Sequence, residues 1–432
     1  MLDSVSKQRY DTMYRNVVSK GTPMYDVIVV GGRVAGSALA LRLAREGVRV
    51  LILDRSHFPS DTLSTHQLQV AGVSRLAELG VLNRVLSAGT PPTRRVRFQA
   101  GRSVIDAAIP RFGEADYMIS PRRTVLDACL VEAAREAGAE FREGIAVEEL
   151  LRDGQRVVGV RAVGRSGGRV SEEHARLVVG ADGKRSTVAR LVGAREYGAR
   201  PAATVASYAY WDGFPTQDGE VHTGAGWAAS AWPTNDGLTL TYCARPLAEW
   251  KTVRRNPEAA LLETLDRVEE LGERTHQAKR VGSVRSTNDT GATFRQAAGP
   301  GWLLAGDAGL VMDPITGLGM SHALRDAELV AAAMATILGG GDERRAGREY
   351  GRARDRETKA IYDFTAGLAA LRGTTPAEER LFSAIAMDPI AGTRFLAVIS
   401  GAAPLAELFS PPALVRLVGV RGFLSLARSR PR

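Results

Sequence analysis

The residues whose types and spacing could do chemistry fall in three short runs of glycine and aspartate. They are Gly31-Gly32-Arg33-Val34-Ala35-Gly36 with Asp54 downstream, Gly180-Ala181-Asp182-Gly183, and Gly306-Asp307 followed by Pro314, Gly317 and Gly319. In the first run the paired glycines let the backbone turn sharply, and Ala35, Gly36 and Ser37 are small enough for a following helix to pack on the preceding strand. That helix points free amides and partial positive charge at the turn, which suits a pyrophosphate. Asp54 lies 23 residues after Gly31, close to the spacing at which an acid hydrogen-bonds the ribose of an adenine dinucleotide. The implied chemistry is dinucleotide binding, with NAD and FAD both open. Arg33 stands where G-x-G-x-x-G has its second glycine. Its side chain either turns outward and adds a cation to the site or marks a degenerate motif. The bland alternative is a glycine turn in an α/β core with no ligand.

The elements that must position these residues follow from periodicity. Val27 to Val30 are four consecutive apolar residues, the pattern of a strand buried on both faces of a parallel sheet. A helix and the strand Val48–Leu53 complete a βαβ unit ending at Asp54 and Arg55. A polar loop follows with His66, which is either a solvated or locally hydrogen-bonded residue or, lying just past the ribose acid, a catalytic one. A helix with Val73, Leu76, Leu79 and Leu82 comes next, then an antiparallel hairpin within 94–119 and an amphipathic helix from Pro121 to near Gly138. Residues 144–179 alternate as a meander with turns at Asp153-Gly154 and Gly167-Gly168; a helix then starts near Ser186. Between 200 and 250 the chain is rich in aromatic, alternating segments, read as a separate antiparallel sheet. Its aromatic face, including Tyr208, Tyr210, Trp227 and Tyr242, is either core or a place to sandwich a flat substrate. A helix over 257–271 follows. The strand Trp302–Ala305 leads into Gly306-Asp307, and a helix containing Asp326 comes after the Pro314–Gly319 loop. Beyond Gly341 the chain reads as helical. Its apolar end is a packed helix pair, a dimer face or a surface membrane anchor, with packing or dimerisation favoured.

Composition excludes several classes. With 432 residues, 44% hydrophobic and 24% charged, the chain can bury a large core and resembles an ordinary globular protein. Its net charge of +9 is spread along the chain, carried by 51 Arg and only 6 Lys, so no basic block of the nucleic-acid-binding kind arises. Cys129 and Cys243 are too few for a disulfide framework or a cysteine metal site, and a reducing, cytoplasmic setting is expected. The six histidines are scattered, so no metal site and no Ser-His-Asp arrangement is expected. Residues 1–23 are polar and charged, read as a loosely docked extension and not a signal peptide. No run of 18 apolar residues predicts a membrane span.

Taken in order, the three runs resemble those of the flavoprotein monooxygenases of the para-hydroxybenzoate hydroxylase fold and their relatives, the geranylgeranyl reductases and flavin-dependent halogenases. GADGKRSTVAR is similar to the family's aspartate-glycine motif, with Asp182 and Gly183 matching, and GDAGLVMDPITGLGMSHALRDA to its G-D motif. The resemblance implies FAD. It places Asp54 on the adenosine ribose, Gly31, Gly32, Arg33 and Gly36 at the pyrophosphate, Asp307 on the ribityl chain, and Pro314, Gly317 and Gly319 beside the isoalloxazine ring. Arg123, four residues before Asp127, is similar to the arginine that opens the helix over the cofactor. GDAGL in place of the commoner GDAAH, and Arg33, set this chain apart within the family. The implied architecture is α/β: a Rossmann-like FAD-binding domain (24–95, 117–199, 279–345) with an interleaved antiparallel-sheet substrate domain (96–116, 200–278) and a helical C-terminal region (346–432).

The resemblance further implies a monooxygenase taking electrons from NAD(P)H and oxygen from O2 to modify a small aromatic or hydrophobic molecule, with His66 and Pro314 as catalytic candidates. The alternative is a reductase of carbon-carbon double bonds. A second G-x-G-x-x-G unit for NAD(P)H is missing. So are the W-x-W-x-I-P motif and the early lysine that halogenases of this fold share. A monomer or homodimer is expected.

Overall fold

The computed structural model describes residues 24–164, 168 and 170–429. The expected N-terminal extension and Gly167 of the second meander turn lie outside the described residues. The strand Met24–Val30 forms because its branched side chains alternate between two separate cores. Val27 and Val29 point into one, with Leu39, Ile52 and Val179, while Ile28 and Val30 point into the other, with Leu51, Val178 and Leu304.

This strand lies inside a largely parallel sheet, ordered Ala298–Gly299, Trp302–Leu304, Val170–Gly180, Met24–Val30, Val50–Asp54, Glu140–Glu143. The ends of its strands are laced together. Gly31 donates to Leu53, Ala181 to Val30 and Ala305 to Gly180, all through backbone bonds of 2.8–2.9 Å. All three glycine–aspartate runs thereby meet along one edge, at the carboxyl ends of the strands, where doubly wound sheets bind ligands.

A second sheet of seven strands runs Lys279–Thr287, Thr204–Asp212, Thr239–Pro246, Trp227–Pro233, Gly219–Gly224, Arg95–Ala100, Ser103–Ala108. It is antiparallel except where Gly219–Gly224 meets Arg95–Ala100. Two expected limits move accordingly. Lys279–Thr287 pairs with Thr204–Asp212 and so belongs to this sheet, not to the cofactor half, and one helix, Glu343–Ala369, runs through the limit placed at 346.

Two expected helices are broken. Gly80, with φ +67°, separates Val70–Glu78 from Leu82–Ser87. The 257–271 helix stops at Leu265 and restarts as Glu269–Gln277: Val268 is extended and interrupts it, and Leu271 joins the core already holding Leu261 and Leu265. The C-terminal helices Pro376–Met387 and Pro389–Ile399, bent by 114°, pack on strand Ser103–Ala108 and set Phe395 edge-to-face against Phe98, with ring centres 4.9 Å apart. Among the described residues no single helix is long and apolar enough to cross a membrane.

Candidate active site

Glycine is dictated at the first turn by close approach. Gly31 has φ +105°, and a Cβ there would lie 2.4 Å from the Ala181 carbonyl oxygen, while a Cβ on Gly36 would lie 1.8 Å from the Gly31 carbonyl oxygen. Gly32 has the Phe141 ring against it. The helix Val34–Arg45 begins at once, and its first internal bond is Ser37 N–H to the Arg33 carbonyl. The amides of Val34, Ala35 and Gly36 precede that bond and face the turn, as anion binding at a helix start requires.

Arg33 is neither a loose surface cation nor a defect. Its guanidinium donates to Asp127 at 2.6 Å and to Ser60 and lies over the Phe58 ring. Asp127 is completely buried and is also chelated by Arg123. One carboxylate thus carries two arginines, tying the loop after Asp54 to the helix Arg123–Glu136. Asp54 accepts from Gly32 N–H and Ser56 N–H, both at 2.7 Å, so it stiffens the turn while each oxygen keeps a second lone pair. Arg55 is exposed at the strand's end.

Asp182 is engaged by the protein itself. Its carboxylate accepts from Ser186 Oγ at 2.5 Å and from the amides of Thr187 and Val188, so it caps the helix Thr187–Leu191. Its neighbourhood still shapes the site, since Gly31 packs directly on Ala181 and Asp182. Gly183, with φ +79° and open space around the position a Cβ would take, completes the turn.

Asp307 is different. It is exposed beside buried Gly306, whose own Cα faces Ala35 of the first helix. No described residue hydrogen-bonds its carboxylate, while Arg123, Lys184 and Arg295 surround it closely enough to draw its pKa down. Crowding by protein outweighs them and lifts the carboxyl to about 6. A carboxylate kept free of protein donors beside a glycine turn and a helix start fits the hydroxylated chain and pyrophosphate of FAD.

The third motif's loop closes the site. Asp313 caps it by accepting from Ile315 N–H and Thr204 Oγ, and Gly317, with φ +62°, lies over the Gln67 side chain. Gln69 Nε2 donates to the Thr316 carbonyl at 3.2 Å. Gly319 starts the helix Gly319–Leu338. Arg354, fully buried, donates to the Gly309 carbonyl and holds this segment from behind. Neither Gln67, Gln69 nor Arg354 stands out in the sequence. Alternation of Thr65, Gln67 and Gln69 is the sole signal for the first two.

Beside Pro314–Gly317 lies a cavity of about 950 Å³ between the seven-stranded sheet and the C-terminal helices. Phe98, Trp232, Phe382 and Phe395 line it, along with Trp227 and Tyr242. The expected substrate residues therefore divide. Tyr208 and Tyr210 do not line the cavity; they enclose His66, with ring centres 5.2 and 5.5 Å away. His66 itself is not among the residues that line the cavity. It has no exposed surface, sits at φ +59° and shares a 2.7 Å hydrogen bond with the Tyr210 hydroxyl. Burial, helped by Arg123, lowers its pKa to about 3, so it is neutral at ordinary pH. Pro314 does line the cavity. No group of three or more potential metal ligands occurs among the described residues.

Residues 24–365 match the family model described as FAD binding domain. The 1H-pyrrole-2-carbonyl-(peptidyl-carrier protein) brominase of Pseudoalteromonas luteoviolacea is 25% identical over 331 residues, 74% of this chain and 79% of that protein. The menaquinone reductase of Mycolicibacterium smegmatis is 29% identical over 330 residues, 72% and 76% of the two chains. The solved structure of the myxobacterial chondrochloren halogenase aligns with a TM-score of 0.74 at 26% identity, covering 95% of this chain and 98% of that one. The family match runs through all three glycine–aspartate turns and into the long helix behind the third, and on that span the chain belongs to the FAD binding domain family, as an FAD-dependent oxidoreductase of the para-hydroxybenzoate hydroxylase fold.

Proposed function

We propose that the protein is an FAD-dependent monooxygenase that uses NAD(P)H and O2 to oxygenate an aromatic or otherwise hydrophobic molecule. The observation that carries this is the cavity of about 950 Å³, walled by Phe98, Trp232 and Phe395 and bordered by the Pro314–Gly317 loop. FAD, when bound and reduced, supplies the electrons and the means of activating O2. The chain's own residues do the rest. The amides at Val34–Gly36 and the ribose acid Asp54 hold the adenosine diphosphate half. Asp307 accepts from the ribityl chain, and the amides of the Pro314–Gly319 loop donate to the ring edge, where they favour negative charge. The aromatic walls exclude water from the reacting centre. Trp227 and Tyr242 contact the substrate in this reading, and His66 positions Tyr210 from behind.

A second reading, reduction of a carbon-carbon double bond in a lipophilic substrate, is favoured by the likeness to a menaquinone reductase together with the same apolar walls. Halogenation is the named activity of other relatives, but this chain lacks the W-x-W-x-I-P motif and early lysine. Anaerobic photoreduction of the FAD-loaded protein, then exposure to labelled O2 with and without bromide, separates the three. Oxygenation predicts substrate-dependent O2 uptake and label in the product. Turnover without O2 would overturn it in favour of the reductase, and bromide-dependent product in favour of halogenation.

A further inference from the structure

The helix Glu343–Ala369 is one unbroken element of 27 residues, and its outward side carries an arrangement that neither the cofactor site nor the cavity uses. Arg344, Arg348, Arg352 and Arg356 follow one another at i, i+4 spacing, so their side chains form one ridge about 18 Å long. All four are exposed. Like charges at that spacing repel and weaken a helix, and other cations of the same helix are relieved of this: Arg345 pairs with Glu349 and Lys359 with Asp363, each one turn on. The ridge has no such relief. The remaining acids of the helix are committed to other arginines, Glu343 to Arg156, Asp355 to Arg354 and Glu357 to Arg325. Asp342, just before the helix, is near enough to feel the charge of Arg344 and Arg348, but its carboxylate caps the helix by accepting from the Arg345 amide. Among the described residues none of the four guanidiniums has a hydrogen bond or an ion pair. Continued at the same spacing, the ridge reaches Ala360, Phe364 and Leu368, and all three line the cavity. Ala360 is at once exposed and part of the cavity wall, so the four cations lead along a single helix to the lip of the cavity, with Arg356 one turn away from it.

We propose that this ridge is a docking rail for the acidic helix face of a partner protein, which it seats beside the cavity so that the partner exchanges an apolar group with it. Four cations about 6 Å apart match Asp and Glu repeated every fourth residue along a facing helix. A membrane surface fits less well, because the ridge carries no exposed apolar side chain to insert; the exposed large hydrophobic residues lie on other segments. A nucleic-acid strand also fits less well, since no exposed aromatic ring stands in the ridge for bases to stack on: Tyr350 and Tyr362 are buried, and Phe364 belongs to the cavity wall. The docking rests on the helix alone, and the exchange rests on reading the cavity as the substrate site.

The test is fluorescence anisotropy on the full-length, FAD-loaded protein at low salt. The probes are a labelled helical peptide of about 20 residues with Glu at every fourth position, the same peptide with Gln in place of Glu, an oligothymidine, and vesicles of phosphatidylserine and phosphatidylcholine. The Glu peptide is expected to bind and the Gln peptide not, and added salt should weaken binding about tenfold. Arg348→Glu combined with Arg352→Glu should weaken it about tenfold or more. Arg254→Glu combined with Arg255→Glu, an exposed pair on the helix Trp250–Arg255, should leave it within about twofold. The two double variants change the net charge equally, so equal losses would reduce the effect to overall charge and overturn the proposal. So would no binding of the Glu peptide, or tighter binding of the vesicles or the oligonucleotide that the ridge variant abolishes. A naphthyl group tethered to one or the other end of the Glu peptide tests the cavity: one of the two is expected to bind about tenfold more tightly, with naphthyl emission shifted to the blue. No gain from either would overturn the exchange and leave the rail. None of these readouts requires turnover, so a failure of the oxygenase reading would not change them.

Discussion

At the ends of the parallel strands, Asp54, Asp127 and Asp182 all have their carboxylates engaged by protein donors, and glycines sit where a single Cβ would strike backbone. Across the cavity the opposite holds. Its walls are aromatic and aliphatic, and the amide of Gln67 and the hydroxyl of Tyr242 are buried without partners. The cofactor half is organised by bonds the protein makes to itself, leaving Asp307 as the exposed acceptor. The cavity half is organised by packing of its aromatic and aliphatic walls. Damage to the first should therefore appear as lost folding, and damage to the second as lost binding.

The largest expected effect tests the first statement. Asp127→Ala leaves Arg33 and Arg123 without their shared buried counter-charge and should cost about 3–5 kcal/mol in urea unfolding. Wild-type stability in that variant would break the contrast. Gly36→Val forces a side chain onto the Gly31 carbonyl and should cost about 3 kcal/mol, seen as a lower melting temperature.

His66 lies between the halves. Because its folded pKa is lowered to about 3, the unfolded chain takes up a proton below about 6.5 while the folded protein does not, so stability present above that pH is lost as pH falls toward 3. Between pH 7 and 5 the loss should be about 2 kcal/mol, and His66→Phe should flatten it. An unaltered pH dependence in the variant would show that the buried imidazole is not its source.

Asp307→Asn should weaken FAD binding about tenfold, equivalent to about 1.4 kcal/mol, with little change in unfolding. Since crowding by protein around the exposed side chain lifts this carboxyl to about 6, wild-type FAD affinity should fall as pH drops through 6, and the variant should lose that step. In the cofactor-free protein the sign reverses: an acid whose folded pKa is raised favours folding at low pH, and that stability is lost as pH rises from about 4 to about 6. Smallest of all, Tyr242→Phe should leave stability within about 1 kcal/mol of wild type or slightly higher, because it removes a buried group that has no partner. A larger loss would mean that the hydroxyl has a structural role, and would blur the contrast between the halves.

Much of the cofactor half is legible in the chain itself. Four consecutive apolar residues, a glycine turn and an acid at fixed distance reflect local geometry, so Gly31, Gly36 and Asp54 can be placed together from spacing. The order of the three motifs adds Asp307. The helix breaks at Gly80 and Val268 are hidden because the apolar spacing continues across them. Asp182 belongs by motif to the cofactor, whereas its local fate is a helix cap. Tyr208, Tyr210, Trp227 and Tyr242 share an aromatic stretch, but which of them faces a cavity depends on what packs against the sheet.

The sequence alone therefore determined that a βαβ unit with two further glycine–aspartate turns exists, in an order that resembles an FAD-binding family, since backbone turns and strand periodicity are written in neighbouring residues. The tertiary structure alone decided that Arg33 faces Asp127, that His66 is enclosed by two tyrosines, and that the C-terminal helices roof the cavity. It also decided that Gln69 meets Thr316, 247 residues away. Such contacts join distant segments through single side chains, and no local periodicity encodes which partner a side chain will meet.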